Sequence, residues 1–464
     1  MDSYDLCVLG AGPGGLSAAI RGAQRGVKVC LIDPGPLGGT CLNRGCIPAR
    51  SFGTTAKLMA QLARADVLGI ECEGRFTVDL AKVVARKDRI LRRLRAGLTQ
   101  LVSRSAVTWL QGEGILQGAQ EVEVRLPGSP AQGIRAQSIV LATGSRPGTL
   151  PNCPIDGKVV VTSDELLDLT FVPSSFIVVG AGVVGCEFAS YFADLGIPVT
   201  VVEAADRVLP FEEEGIADTF AESLTHRGVR VLTGTRVQGI QLEGVGTARV
   251  SLSDHSVLTA PLVLMAAGRR PHLPKGCDAV GLRLEEGKLP VDETLRSSVR
   301  SIFGIGDLLG GYQLACTASY EGALAAENAT GESKKANYDA VPDAIYTEPE
   351  IASVGLTQAE ALFKGQRVTV SRLSLSGFAR AQTFEETEGF VQVVADQTTG
   401  RLVGVQMIGA RATDLIGEAT LAVKQKLTLK DLTETLHGHP TMSESLWETA
   451  AMALGQSIYY ASSR

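Results

Sequence analysis

No apolar run in this 464-residue chain reaches the roughly 18 residues that a membrane-crossing helix needs, so no membrane association is expected. The N-terminus, MDSYDLCVLGAGPGG, lacks a basic stretch followed by a signal-type apolar segment. A cytoplasmic rather than a secreted protein is therefore expected. Positive charge is not in excess either. The formal net charge of −6 argues against nucleic acid as the main partner. Metal-ligand spacing is also missing. Cys72, Cys153, Cys186, Cys277 and Cys316 are scattered, and no C-x2-4-C or H-x3-5-H pair accompanies Cys41 and Cys46. Zinc needs such a second pair, so no metal site is expected.

What is present is ordinary for a folded chain, with 45% hydrophobic and 20% charged residues, except for its 52 glycines against 19 prolines. Glycine excess without a repeat predicts many tight strand-to-helix turns. At roughly 150 residues per domain, the length suggests about three domains. The apolar strand YDLCVLG leads into Gly10-Ala-Gly12-Pro-Gly-Gly15, then a helical LSAAIRGAQRG, then VKVCLID ending at Asp33. In such a unit the first glycine makes the tight turn and the second admits a pyrophosphate. The third lets helix and strand pack closely, and the acid reaches a ribose hydroxyl. One GxGxxG is weak evidence, but here it recurs. FIVVG, Gly180-Ala-Gly182-Val-Val-Gly185, CEFASYFADLG and PVTVVE ending at Glu203 repeat the order, with the same 23 positions from first glycine to acid. Two doubly wound, Rossmann-like α/β units binding two different dinucleotides are predicted.

AQSIVLATGS, PLVLMAAGRRP and SIFGIGDLLGG read as further buried strands ending in glycine turns, with Asp307 leaving the last of them. The last third changes character, with VTVSRLSLSGFA, FVQVVAD and RLVGVQMIGA as an antiparallel meander followed by helices. An α+β domain beginning near Pro342 is expected. The predicted division is 1–148, 149–272, a return to the first unit over 273–341, and 342–464. Residues 79–102 read as an amphipathic helix with Leu80, Val83, Leu91, Leu94 and Leu101 on its apolar face, and Arg86, Lys87, Arg89, Arg92, Arg93 and Arg95 on a solvated one.

The stretch GGTCLNRGCIPAR places Cys41 and Cys46 five residues apart. Five residues of regular α-helix rise about 7.5 Å and turn about 140°, too far for a disulfide with converging side chains. Gly45 and Pro48 favour a broken first turn. A thiolate near a helix N-terminus is stabilised, and a small ring suits exchange better than stapling a fold. Cys7 and Cys30 lie in apolar strands and read as core residues.

At this point the chain resembles the pyridine nucleotide–disulfide oxidoreductases, a flavoprotein family. The likeness runs through ATGS, GAGVVG, AAGRRP, GIGD, YTEPEIASVG and HGHPTMSE in order. HGHPTMSE is most similar to the dihydrolipoamide dehydrogenase members. The resemblance implies two cofactors. FAD is expected on Gly10, Gly12, Gly15, Asp33, Arg50, Gly114, Thr143, Gly144, Ser145, Asp307 and Ala315. NAD is expected on Gly180, Gly182, Gly185, Glu187, Glu203, Val237 and Gly268. It further implies that Cys41 exchanges with substrate, that Cys46 lies against the flavin, and that His439, oriented by Glu444, is the base. The C-terminal domain would form a homodimer and supply that base to the other subunit. Thr441-Met-Ser-Glu444 also reads as a capping box. His437 reads as a loop residue.

The implied activity is oxidation of a dihydrolipoyl dithiol with hydride transfer to NAD+. The partner would be a lipoylated carrier protein or a 2-oxo acid dehydrogenase core. An NADPH-driven reductase of another small disulfide, and a redox-sensing flavoprotein with little turnover, remain open. The chain departs from the family in two places. Arg50 stands where the family has lysine, predicting an Arg50–Glu187 ion pair and a shifted flavin potential. Cys316 stands where histidine is usual, and is expected to be a buried bystander.

Overall fold

The computed structural model describes every residue except 72, 75, 245 and 461–464, so Cys72 lies outside the described residues. The first fingerprint folds as strand Asp2–Leu9, helix Pro13–Gln24 and strand Val29–Ile32. Four apolar residues in a row, all buried, suit a parallel strand covered on both faces. Thr108–Leu110, Val29–Ile32, Asp2–Leu9 and Gln132–Leu141 pair in parallel in that order. Ile302–Gly304 joins the far edge of Gln132–Leu141 in parallel, which returns the chain to its first sheet after residue 273. An antiparallel hairpin, Glu113–Gly118 and Glu121–Arg125, completes this sheet.

The second fingerprint builds the same core: strand Phe176–Val179, helix Val183–Asp194, strand Val199–Val202. Its parallel sheet runs Arg230–Leu232, Val199–Val202, Phe176–Val179, Val263–Met265, Val160–Val161. A three-stranded antiparallel sheet over 237–260 stands beside it. The two units are joined by a short antiparallel pair, Ser145–Pro147 with Arg269–Pro271.

The C-terminal unit is an antiparallel sheet of five strands, with short helices between some of them and Ala412–Lys424, Leu429–Glu434 and Glu444–Ala453 following the last, so the α+β expectation holds. Pro342–Ile345 and Ile351–Gly355, around the Glu348-Pro349 turn, are two of those strands, where the sequence showed only a boundary. Ala412–Lys424 and Glu444–Ala453 cover the sheet through Ile416, Ala419, Leu446 and Ala450.

The 25-residue helix Leu80–Arg104 starts at an Asp79 cap, as read, but two features differ. Lys87 is buried, its Nζ donating to the Leu167 carbonyl at 3.3 Å and to Asp168, so it ties the helix to the second unit and does not belong to the solvated face. Leu94 and Leu101, assigned to the apolar face, are exposed. Cys7 and Cys30 are fully buried neighbours on adjacent strands, as expected of core residues. Cys316 is exposed in the first turn of helix Ala315–Ala329, contrary to expectation.

Candidate functional site

In each fingerprint the third glycine is fixed by a close approach. A Cβ on Gly15 would stand 1.8 Å from the Gly10 carbonyl oxygen, and on Gly185 1.9 Å from that of Gly180. No L side chain fits there, so each helix can lie directly against its strand. The second glycines differ from this. A Cβ on Gly182 would meet nothing within 4 Å, and one on Gly12 only the Gly39 Cα at 3.9 Å. These backbones border open space at a helix N-terminus, which suits a pyrophosphate. The acids are placed alike. Asp33 accepts the N–H of Ala11 at 2.6 Å and of Gly35 at 2.7 Å. Glu203 accepts those of Ala181 at 2.5 Å and Ala205 at 2.7 Å. Both carboxylates are held at the carboxyl end of a parallel strand, beside their own glycine loops.

The helix holding Cys41 spans Gly39–Arg44 and stops at Gly45, and a second helix, Cys46–Leu62, begins at the next residue. The break expected between the cysteines is therefore real. Gly39 adopts φ +56°, and a Cβ there would fall 2.5 Å from the Gly12 Cα, so the redox segment sits against the first glycine loop. Cys46 opens the longer helix and is exposed, whereas Cys41 is half-buried. The two thiols are unequal. Cys46 is lowered to about 7, chiefly because the Cys41 thiol donates a hydrogen bond to it; burial opposes this, and the Arg50 guanidinium adds to it. The same hydrogen bond, with burial, holds Cys41 well above the usual thiol range. Asn43 Nδ2 donates to the Gly39 carbonyl at 2.8 Å and to that of Leu37 at 3.1 Å. Arg95 Nε donates to Asn43 Oδ1 at 2.5 Å, a brace from the long helix that the sequence did not reveal.

The Cys46 helix is rooted in the second unit. Phe52 stacks on Phe192 at 5.6 Å, and Phe192 on Phe176 at 4.3 Å. This packing carries Arg50 to Glu187. Arg50 Nη2 donates to Glu187 Oε2, the ion pair expected from the sequence, and Glu187 Oε1 accepts the Tyr346 N–H at 3.0 Å. The guanidinium also lies 4.0 Å from the centroid of the Tyr346 ring. Tyr346, from the C-terminal unit, opens the YTEPEIASVG stretch, but its meeting with Arg50 had no signal in the sequence. Arg50 Nε and Nη1 are buried with no hydrogen-bond partner, so two donors are left for a group bound against them.

At the junction of the units, Ser145 Oγ donates to Asp307 Oδ2 at 2.5 Å and accepts from Arg269 Nε at 2.8 Å. Thr143 Oγ1 donates to the His272 carbonyl. Gly144 and Gly268, at φ +70° and +79°, turn the chain at the two ends of the joining strands. Ala315 begins its helix; Gly114 and Val237 lie in edge hairpins, Gly114 opposite Val124 and Val237 opposite Leu252.

In the C-terminal unit, Glu444 Oε1 bonds His439 Nδ1 at 2.8 Å while its Oε2 accepts the Thr441 N–H at 2.8 Å. One carboxylate thus serves both readings of the sequence. The hydroxyl half of the capping box is not made, because Thr441 Oγ1 donates to the Gly438 carbonyl. With Nδ1 donating to Glu444, the His439 Nε2 carries the free lone pair. The side chain is 65% exposed. Among the described residues, Glu444 is its one hydrogen-bond partner. His437 is no mere loop residue: its side chain is 7% exposed and both ring nitrogens are bonded.

The glycine cradles, strand-end acids and redox pair define a dinucleotide-dependent disulfide oxidoreductase, and comparison with known proteins agrees. Residues 4–322 match the profile of the pyridine nucleotide-disulphide oxidoreductases, and residues 341–450 that of their dimerisation domain. The chain belongs to this family. It is 38% identical over 463 residues to the dihydrolipoyl dehydrogenase of Chlamydia muridarum, covering 99% of this chain and 98% of that one. It is 36% identical over 463 residues to a Bacillus subtilis protein of the same name, covering 98% and 99%. Among solved structures, LpdA of Mycobacterium tuberculosis superposes with a TM-score of 0.90 at 30% identity, covering 97% and 99%. The Cu(II) complex of RclA, an HOCl-induced flavoprotein disulfide reductase of Escherichia coli, gives 0.87 at 26%, covering 97% and 100%. The chain is an NAD-dependent flavoprotein oxidoreductase using FAD and NAD. None of the described helices is long and apolar enough to cross a membrane.

Proposed function

We propose that the chain oxidises a dihydrolipoyl dithiol, borne on a lipoylated carrier or a 2-oxo acid dehydrogenase core, with NAD+ as final acceptor. FAD, when bound, supplies the two-electron relay between the dithiol and the nicotinamide. We assign FAD to the first glycine loop with Asp33, Arg50, Gly114, Thr143, Gly144, Ser145, Asp307 and Ala315. NAD is assigned to the second loop with Glu187, Glu203, Val237 and Gly268. Glu203 favours NAD over NADP, since a carboxylate there accepts from a ribose hydroxyl and repels a phosphate.

The unequal thiols support the direction of exchange. In the oxidised Cys41–Cys46 disulfide, a substrate thiolate attacks Cys41 Sγ and Cys46 leaves as thiolate. A leaving thiol of low pKa departs faster, and Cys46 is the one that the Arg50 guanidinium lowers, a cause that remains when Cys41 is bonded to sulfur and has no proton to donate. The second substrate thiol gives its proton to His439 Nε2 and attacks the substrate sulfur of the mixed disulfide. Cys41 departs as thiolate and, held high, takes up the proton that His439 has just accepted. The substrate leaves as a cyclic disulfide, two electrons poorer, and the enzyme holds two reduced sulfurs.

One observation carries the reading. A dyad of an exposed His439 and a half-buried Glu444 sits on the dimerisation unit, while the redox pair sits on the first unit. Such a dyad suits a dithiol brought between two subunits, so the active form is taken as a homodimer. Turnover of free dihydrolipoamide with NAD+, compared with glutathione disulfide and NADPH, is the test. Faster glutathione disulfide reduction with NADPH would sink the proposal.

A further inference from the structure

Between helices Leu429–Glu434 and Glu444–Ala453, the connection that bears His439 is pinned repeatedly. Trp447 Nε1 donates to the Thr433 carbonyl at 2.9 Å, Thr441 Oγ1 to that of Gly438 at 2.7 Å, and Glu444 holds both His439 and the Thr441 N–H. All of these ties stay within the connection and its two flanking helices. His437 is different. Its Nδ1 bonds the Thr435 carbonyl at 2.9 Å, and its Nε2 bonds Glu418 Oε1 at 2.9 Å. Glu418 belongs to helix Ala412–Lys424, which packs on the strands Ile351–Gly355 and Leu402–Ile408. Within the connection, His437 is thus the side chain hydrogen-bonded to helix Ala412–Lys424. Its neighbours point outward: Leu436 is 98% exposed, and Gly438 and His439 are exposed.

We propose that His437 and Glu418 form a clamp that positions the base. The clamp fixes the 436–440 turn against the sheet, so that His439 is presented at one place and angle. It rests on the reading of His439 as base. Both partners of the imidazole, a carbonyl oxygen and a carboxylate, are acceptors, so an N–H on either ring nitrogen has its acceptor in place. Glutamine at 418 would offer an amide N–H as well as an oxygen, which a ring carrying one proton can equally meet. Position, rather than charge, is what the clamp supplies. A base displaced by about 1 Å costs on the order of 100-fold in rate.

The test uses the full-length, FAD-loaded enzyme and two activities. One is dihydrolipoamide with NAD+, which needs the base. The other is NADH with ferricyanide, which bypasses it. His437→Ala and Glu418→Ala are expected to lower kcat for the dithiol about 10- to 100-fold, with KM changed less. Ferricyanide reduction should stay within about twofold, and Glu418→Gln should restore dithiol turnover. Equal loss of both activities would show general structural damage and overturn the clamp. So would retained dithiol turnover in both alanine variants, or a Glu418→Gln as impaired as Glu418→Ala. His439→Gln separates the two readings. If it abolishes dithiol turnover while His437→Ala keeps it, the clamp alone falls. If His439→Gln itself keeps turnover, the base reading falls and takes the clamp with it.

Discussion

Replacing Arg50 by methionine removes the cation beside Cys46 with little change in bulk. Cys46 and Arg50 are four residues apart on one helix, which places their Cβ atoms about 5–6 Å apart. The charges lie at the ends of the side chains and are taken as about 6–12 Å apart; at an effective dielectric of about 20 a unit charge then contributes about 1.4–2.8 kcal/mol. That corresponds to about one to two pH units. Cys46, now lowered to about 7, should then titrate nearer 8–9 in the variant. The hydrogen bond from Cys41 is the larger cause and persists, so the lower half of that range is expected. The readout is the rate of iodoacetamide labelling of Cys46 in the pre-reduced protein between pH 5.5 and 10, followed by peptide mass. Cys41 interferes little, because it stays protonated through most of that range. Arg50→Lys should keep the labelling profile, lose the stack on Tyr346, and move the flavin midpoint potential. Methionine also strands Glu187, whose side chain is 8% exposed, and should cost about 3 kcal/mol of stability. Glu187→Gln in the same chain should recover part of that stability without recovering the thiol. A labelling profile for Arg50→Met that superimposes on the parent would refute the electrostatic role of Arg50.

Glu444→Ala should lower dithiol turnover about 100-fold, since His439 loses the acceptor that fixes its ring, and ferricyanide reduction by NADH should be spared. In Glu203→Ala, KM for NAD+ should rise about 10- to 100-fold with kcat little changed, as expected for loss of a charged hydrogen bond made in ground and transition states alike; initial-rate kinetics would show it. Burial pushes Glu212 up to about 7, with Asp343 adding to it. A carboxyl raised in the folded state contributes stability below its unfolded value, near 4.5, that is lost as pH rises to about 7. Glu212→Gln should therefore raise Tm at pH 8 and leave it unchanged near pH 4.5. An equal Tm difference at both pH values would contradict this sign.

How much the sequence revealed depends on how local the cause is. The glycine loops were legible because a Gly10–Gly15 approach involves six consecutive residues, and their two strand-end acids lie at fixed separations. The broken turn at Gly45 was legible for the same reason. Lys87 was misplaced because its burial depends on Asp168, eighty-one positions away, and the helix pattern cannot register that. Pro342–Ile345 and Ile351–Gly355 are too short, and too interrupted by proline and glutamate, to show alternation; long-range pairing makes them strands. Tyr346 under Arg50, Arg95 on Asn43 and Glu418 on His437 are tertiary meetings with no sequence spacing to announce them. Cys316 was misjudged because a helix's first turn can face either way, and the residue type does not decide it.

The aromatic stack of Phe52, Phe192 and Phe176 runs from the redox helix into the second unit. The rod that ends in Cys46 is thereby a beam built into the wall of the neighbouring unit, with Arg50 and Glu187 as the bolt. A cysteine mounted in this way cannot swing between an electron donor and an acceptor. Whatever travels during turnover must be the substrate and the nicotinamide, each arriving at a site whose sulfur stays in place.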